Sequence, residues 1–231
     1  MKKRVDYSLY LVTDRELMTT ASVEDSVEKA IAGGCTVVQL REKKVSSGEF
    51  YNTALKVRNV TSRYKVPLII NDRADIAKAV DAEGVHVGQD DLPYSAARSV
   101  VGKSKIVGVS VRSLAEALEA SLCGANYIGV GAMFATSTKI DADFVSMEEL
   151  QKIRKSVNIP IVVIGGIYKE NVPLFFGKGI DGIAVVSAVV AQNNITHAAR
   201  ELKEMIGAGE KLKSQTSALF QNFLNENQAA K

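Results

Sequence analysis

Four short stretches of this sequence run from apolar residues straight into groups that can bind phosphate or a metal ion. In "QLREKK", Gln39, Arg41 and Lys43 alternate, so on an extended chain they share one side. "IIND" ends in Asn71 and Asp72, and "VHVGQDD" ends in Gln89, Asp90 and Asp91. "IGVGAMFATSTK" ends in Thr136, Ser137, Thr138 and Lys139, three hydroxyls and a cation. The cations Arg41, Lys43 and Lys139 would suit an anionic substrate. A pair of carboxylates on neighbouring strands would suit magnesium, which takes few protein carboxylates and fills its shell with water and substrate phosphate. Each stretch also has a plainer reading. The Arg/Lys stretch could be a solvated loop, Asp72 a helix N-cap for "RADIAKAV", and Asp90-Asp91 the start of the next helix.

What decides between these readings is where the segments sit in the fold. Eight apolar, β-branched runs recur, at Leu9–Thr13, Val37–Arg41, Pro67–Asp72, Gly84–Gln89, Lys105–Val111, Tyr127–Phe134, Pro160–Ile167 and Gly182–Val189. Most carry consecutive Val, Ile or Leu, the pattern of parallel strands covered on both faces. Segments of helical period lie between them. Ser22 with Asp25 three residues on reads as a variant capping box. Leu114, Ala117, Leu118 and Ser121 define one face of another helix. Gly33-Gly34, Gly102, Gly124 and Gly179 mark helix ends.

Eight strand–helix units with no linker predict one α/β domain, a single (β/α)8 TIM barrel over residues 1–207. An open doubly wound sheet would need a glycine-rich fingerprint after an early strand, and neither "YLVTDREL" nor "VVQLREKK" has one. Residues 208–231 are expected to form a helical or flexible extension. Their Ala218, Leu219, Phe220, Phe223 and Leu224 suit packing on the barrel or on a second subunit, which leaves a homo-oligomer open.

Composition narrows the partners. The chain has 231 residues, is 46% hydrophobic and carries a net charge of +3. No Lys/Arg block beyond Lys2-Lys3-Arg4 marks a nucleic-acid surface. Asp6 and Asp14 interrupt any signal-like apolar region, and the longest apolar runs are half a membrane span, so a cytoplasmic protein without membrane contact is expected. Cys35 and Cys123 stand apart, without metal-ligand spacing, and read as buried free thiols.

In a barrel of this kind the strand C-termini and the loops after them form the active site. That frame favours the chemical reading of Gln39, Arg41, Lys43, Asn71, Asp72 and Asp91, and it adds Ser110 from "GVSV". Gly165-Gly166 after strand seven and Ser187 in "VVSAV" fall where such barrels cradle a phosphate on backbone N–H groups, although close packing also calls for glycine. Arg41, Lys43, Lys139 and magnesium would suit a diphosphate, and the glycine cup a monophosphate. Together they predict group transfer with diphosphate as leaving group.

The ordered phrases "QLREKK", "LIINDRADIA", "GVHVGQDDLP", "IVGVSV", "IGVGAMFATSTK", "VVIGGI" and "GIAVVSAV" resemble the thiamine phosphate synthase family over about residues 8–206. The resemblance implies a transferase of thiamine biosynthesis. It would join 4-amino-2-methyl-5-pyrimidinylmethyl diphosphate to a thiazole phosphate, carboxylated or not, giving thiamine phosphate and diphosphate. It further implies Mg2+ on Asp72 and Asp91, and diphosphate contacts from Arg41, Lys43, Asn71, Ser110 and Lys139. Gln39 would contact the pyrimidine. Thr136, Thr138, Gly166 and the backbone around Val186-Ser187 would hold the thiazole phosphate. The C–O bond breaks first in this family and the thiazole nitrogen captures the cation, so no protein nucleophile is needed. His86, inside a strand, reads as a satisfied core residue. The chain departs from the family at Ala132 and Ala135, where proline is usual, and at Arg112, where histidine is common. The rivals are a thiazole tautomerase on the same barrel, which relies on that histidine, and a non-catalytic phosphate-binding regulator.

Overall fold

The computed structural model describes residues 5–135 and 144–209. Eight parallel strands close into a barrel in sequence order. They are β1 (Leu9–Val12), β2 (Val37–Leu40), β3 (Leu68–Asn71), β4 (Gly84–Val87), β5 (Ile106–Val111), β6 (Tyr127–Val130), β7 (Ile161–Ile164) and β8 (Gly182–Val185). The ring closes where β1 pairs with β8, with Leu9 opposite Ile183. Around it run α1 (Val23–Ala32), α2 (Ser47–Tyr64), α3 (Ala74–Ala79), α4 (Tyr94–Val101), α5 (Leu114–Cys123), α6 (Met147–Ser156), α7 (Ser187–Val190) and a last helix, α8, over 195–209.

Strand alternation sorts the core into two parts. One set of residues, including Leu9, Leu11, Val38, Leu40, Leu68, Ile70 and Val85, faces the helices and joins one continuous apolar layer. The other set faces the lumen, where Tyr10, Val12, Val37, Ile69, Tyr127, Val162 and Ala184 form a smaller cluster. Consecutive apolar residues along each strand are therefore needed on both sides.

One local device starts four helices. Ser22, Ser46, Ser113 and Ser146 each cap α1, α2, α5 and α6, accepting the amide of an acidic residue three positions on, at 3.1–3.3 Å. Each such cap is worth about 1 kcal/mol. In the last two helices the paired glutamate does a second task. Glu116 accepts from Arg112 N at 2.6 Å, and Glu149 from Leu114 N at 2.8 Å, which ties the β5–α5 turn to α6.

Several expectations change. All strands but β5 stop short of the ends of their apolar runs, because the last residues of those runs already belong to the mouth; β5 extends to the end of its run at Val111. The seventh connection carries only a 3-10 turn, Val172–Phe175, instead of a helix. Gly177 and Gly179, both at positive φ, end it before a helix can extend. On α5 the buried positions are Ala117 and Ala120, while Leu118 and Leu122 are exposed. Small alanines let this helix lie close against the sheet and turn the leucines outward. Cys35 is buried as expected, but Cys123 at the outer end of α5 is exposed.

Candidate active site

The C-terminal ends of the strands surround a cavity of about 360 Å³, a size typical of small-molecule sites. Gln39, Arg41, Lys43, Asn71, Asp72, Asp91, Ser110, Gly166, Val186 and Ser187 all line it. Thr136, Thr138 and Lys139 lie outside the described residues. The plainer readings of the two aspartates fall away. Arg73, not Asp72, occupies the N-cap position of α3, with no side-chain cap bond. Pro93 precedes α4, and Asp91 Oδ2 instead accepts from Gly88 N at 2.8 Å.

Backbone conformation aims Asp72 at the cavity. Its φ is +63°, the left-handed region that Asp and Asn tolerate best after glycine. Its amide donates to His86 O at 2.8 Å, which fastens the β3 end to β4. The Asp72 carboxylate pairs with Lys43 Nζ and also meets the Asp91 carboxyl. Burial first, and then the hydrogen bond with Asp91, hold the Asp72 carboxyl above the usual range, against the pull of Lys43. For Asp91 burial also works upward, but hydrogen bonds from Asp72 and Gly88 N, with the Lys43 charge, win and hold it low. Two carboxyls this close disfavour each other's charged form, and a cation bound between them relieves that. That chemistry fits a hard divalent ion bound through two carboxylates, with the remaining ligands from water and phosphate. Among the described residues no cluster of three or more His, Cys, Asp or Glu competes for a metal.

Beside this pair, Arg41 reaches over β1. Its amide donates to Thr13 Oγ1 at 3.0 Å and its guanidinium lies 3.4 Å from Asp14 Oδ2. Arg112, where a histidine was the family expectation, also lines the cavity.

The opposite wall is backbone. Gly165 and Gly166 have φ of +100° and +63°. A Cβ on Gly165 would lie 2.6 Å from Ala132 Cβ, and one on Gly166 2.5 Å from Ala135 O. The chain leaves β6 through a cis Gly131–Ala132 peptide, and Met133 N and Phe134 N then donate to Ile164 O and Gly165 O. The glycine pair is thus clamped under the β6 loop. On the same wall, after β8, Ser187 Oγ shares a 2.6 Å hydrogen bond with Tyr168 Oη.

The cavity floor holds residues that spacing alone gave no role. Tyr10 and Tyr127 are 1% exposed and share a 2.7 Å hydrogen bond. Gln39 Nε2 donates to Tyr10 at 2.8 Å, and His86 touches Tyr127 and Ser110. Burial pushes the His86 imidazole down to about 4 and drives both tyrosine hydroxyls well above their ordinary value. A signal for them did exist. Gly108 and Gly129, inside β5 and β6, sit where a side chain would strike Tyr127 and His86.

A closed eight-stranded α/β barrel whose mouth sets cations and a carboxylate pair against a glycine cup defines a barrel enzyme equipped for phosphorylated ligands. Comparison with known proteins narrows this. Residues 9–189 match the model of the thiamine monophosphate synthase family. The thiamine-phosphate synthase of Clostridium beijerinckii is 62% identical over 203 residues, 88% of this chain and 97% of that protein. That of Clostridium botulinum is 58% identical over 204 residues, covering 88% and 96%. The solved thiamine phosphate pyrophosphorylase from Pyrococcus furiosus superposes with a TM-score of 0.83 at 40% identity, covering 89% of this chain and 98% of its own. The chain belongs to the thiamine monophosphate synthase family.

Proposed function

We propose that this cavity joins 4-amino-2-methyl-5-pyrimidinylmethyl diphosphate to 4-methyl-5-(2-phosphooxyethyl)thiazole, giving thiamine phosphate and diphosphate. The observation that carries this reading is the pairing of two unlike walls across one cavity. Arg41, Lys43 and the Asp72–Asp91 pair form one wall, and Gly165-Gly166 with Val186-Ser187 form the other. One wall suits a metal-bound diphosphate, the other a monophosphate.

The C–O bond of the pyrimidinylmethyl diphosphate breaks and its electron pair leaves with diphosphate. The thiazole nitrogen lone pair then forms the new C–N bond, so the product is a thiazolium and no proton is lost. Asp72 and Asp91 would hold Mg2+, which supplies positive charge to the departing diphosphate. Arg41 and Lys43 add fixed cations where negative charge grows, and Asn71 and Ser110 add neutral hydrogen-bonding groups. Gln39 orients the pyrimidine, while the glycine cup holds the thiazole partner close enough to capture the cation before water does. Thr136, Thr138 and Lys139 are assigned to the two phosphates by resemblance.

A tautomerase reading needs a free base at the mouth. Position 112 is arginine, and His86, the one histidine lining the cavity, is buried with both ring nitrogens bonded. The test is incubation of purified protein with both substrates, with and without Mg2+, and detection of thiamine phosphate. Product only with a divalent metal is expected. No product under either condition overturns the function, and product without metal overturns the role of Asp72 and Asp91.

A further inference from the structure

The floor of the cavity is a connected file of hydrogen bonds running from β2 to β5, with Gln39 also acting on Tyr127. Gln39 Nε2 meets Tyr10 Oη at 2.8 Å, and Tyr10 Oη meets Tyr127 Oη at 2.7 Å. Tyr127 Oη meets His86 Nδ1 at 2.9 Å, and His86 Nε2 meets Ser110 Oγ at 2.8 Å. The middle three members are almost out of water, at 1%, 1% and 7% exposure. The fold makes room for them. A Cβ at Gly108 would lie 2.2 Å from Tyr127 Cζ, and one at Gly129 would come within 3.2 Å of His86 Cε1.

Counting protons gives the file a direction. The Gln39 atom facing Tyr10 is the amide nitrogen, which only donates. Tyr10 accepts there, and its own buried proton, which the Gln39 nitrogen cannot take, is satisfied by going to Tyr127. Tyr127 then accepts, and its own proton goes to His86 Nδ1. The imidazole is buried with hydroxyls, not carboxylates, on its two nitrogens, a setting that favours the neutral ring. With Nδ1 accepting, the ring proton sits on Nε2 and is given to Ser110 Oγ. The Ser110 proton is spent on none of these partners and is left for the cavity.

We infer that Tyr10, Tyr127 and His86 are positioning residues that fix Ser110 as a hydrogen-bond donor toward the leaving diphosphate. The inference rests on the proposed function, since it needs a diphosphate at Ser110. An unconstrained serine can turn its proton to any acceptor. A departing diphosphate offers only acceptors, and a donor already aimed at it needs no reorganisation as charge appears. Polarisation along the file strengthens that last bond further. Were the Gln39 amide turned over, every bond would reverse. His86 would then carry its proton on Nδ1, and Ser110 would spend its proton on Nε2 and present only lone pairs to the ligand.

The two directions separate by nitrogen NMR of the wild-type holoenzyme with labelled histidine. The chain has two histidines, and His197 is assigned by its loss in His197→Gln. The Nε2–H tautomer is expected at His86, and an Nδ1–H tautomer overturns the inference. Kinetics give a second measure that does not depend on the spectrum. Tyr127→Phe breaks the file in the middle and should lower kcat about tenfold, roughly what one lost hydrogen bond is worth, with KM for the diphosphate substrate nearly unchanged. Placed on top of Ser110→Ala, the same change should have no further effect on kcat. An equal tenfold loss in both backgrounds means that Tyr127 acts apart from Ser110, and overturns the inference. Tyr10→Phe gives the same pair of comparisons if Tyr127→Phe fails to fold. Wild-type protein that makes no product overturns the proposed function and the role of the file with it. Product from wild type together with the Nδ1–H tautomer overturns the file alone.

Discussion

The two walls of the mouth are built from different material. On the β2–β4 wall the cavity is lined by charged side chains that occupy one another at rest: Arg41 with Asp14, Lys43 with Asp72, and Asp72 with Asp91. On the β7–β8 wall the cavity is lined by the backbone of Gly165 and Gly166, whose shape is set by packing under the β6 loop. Within the first wall the Asp72 and Asp91 carboxyls disfavour each other's charge, a conflict that a bound cation would relieve. The second holds no conflict and is simply tight. It follows that the same size of chemical change should affect activity on one wall and folding on the other.

The largest effect is expected from Asp72→Asn. Asparagine keeps the left-handed backbone at φ +63° and removes a charge that burial and Asp91 disfavour. Turnover should fall by at least the roughly 10²–10³-fold lost with one transition-state contact. The metal-free protein should melt no lower than wild type, and the rise in Tm that Mg2+ gives wild type through binding should vanish. The sign follows from linkage. A carboxyl whose folded pKa is raised is destabilised as pH rises through the carboxylate range, so removing its charge costs the fold nothing at neutral pH. Paired calorimetry and kinetics check this. Retained turnover with a lowered Tm would erase the distinction between the walls.

Gly166→Ala comes next and should act the other way round. The left-handed φ of +63° costs a non-glycine residue about 1–2 kcal/mol, and the new Cβ would press on Ala135 O at 2.5 Å, a backbone atom with little freedom to yield. For a chain of this size the conformational cost alone lowers Tm by roughly 2–8 °C. KM for the thiazole phosphate should rise more than kcat falls, because the cup loosens while the leaving-group wall is untouched. A lower Tm with unchanged KM would mean that the glycine serves packing only.

The same contrast explains what was legible in the sequence. Doubly covered strands must be apolar on both faces, so eight Val/Ile/Leu runs gave the barrel and its order. Polar groups placed directly after such runs had to emerge at the mouth, which brought Arg41, Lys43, Asp72 and Asp91 into view. Spacing did not decide whether Asp72 caps α3, because the answer lies in one left-handed φ and a backbone bond to His86 O. The reach of a strand and the loss of the seventh helix were hidden for a similar reason: both depend on glycine conformations fixed by neighbours. Tyr10 and Tyr127 were missed because tyrosine in a strand reads as apolar filling. Only their hydroxyls, meeting across 117 residues of chain, make them a network.

The smallest effect, and the sharpest test of the backbone wall, belongs to Ser187→Ala. The Ser187 hydroxyl is already held by Tyr168 Oη at 2.6 Å. If the monophosphate is bound chiefly by backbone N–H groups, losing this side chain removes one shared neutral hydrogen bond and no charge. Such a bond is worth about 0.5–1.5 kcal/mol, so KM for the thiazole phosphate should rise about threefold to tenfold while kcat stays within twofold. Tyr168→Phe should give a similar or smaller rise, because it frees Ser187 instead of deleting it. A hundredfold rise in KM for Ser187→Ala would show a side chain carrying the phosphate, and the β7–β8 wall would then be working by the same means as the wall opposite.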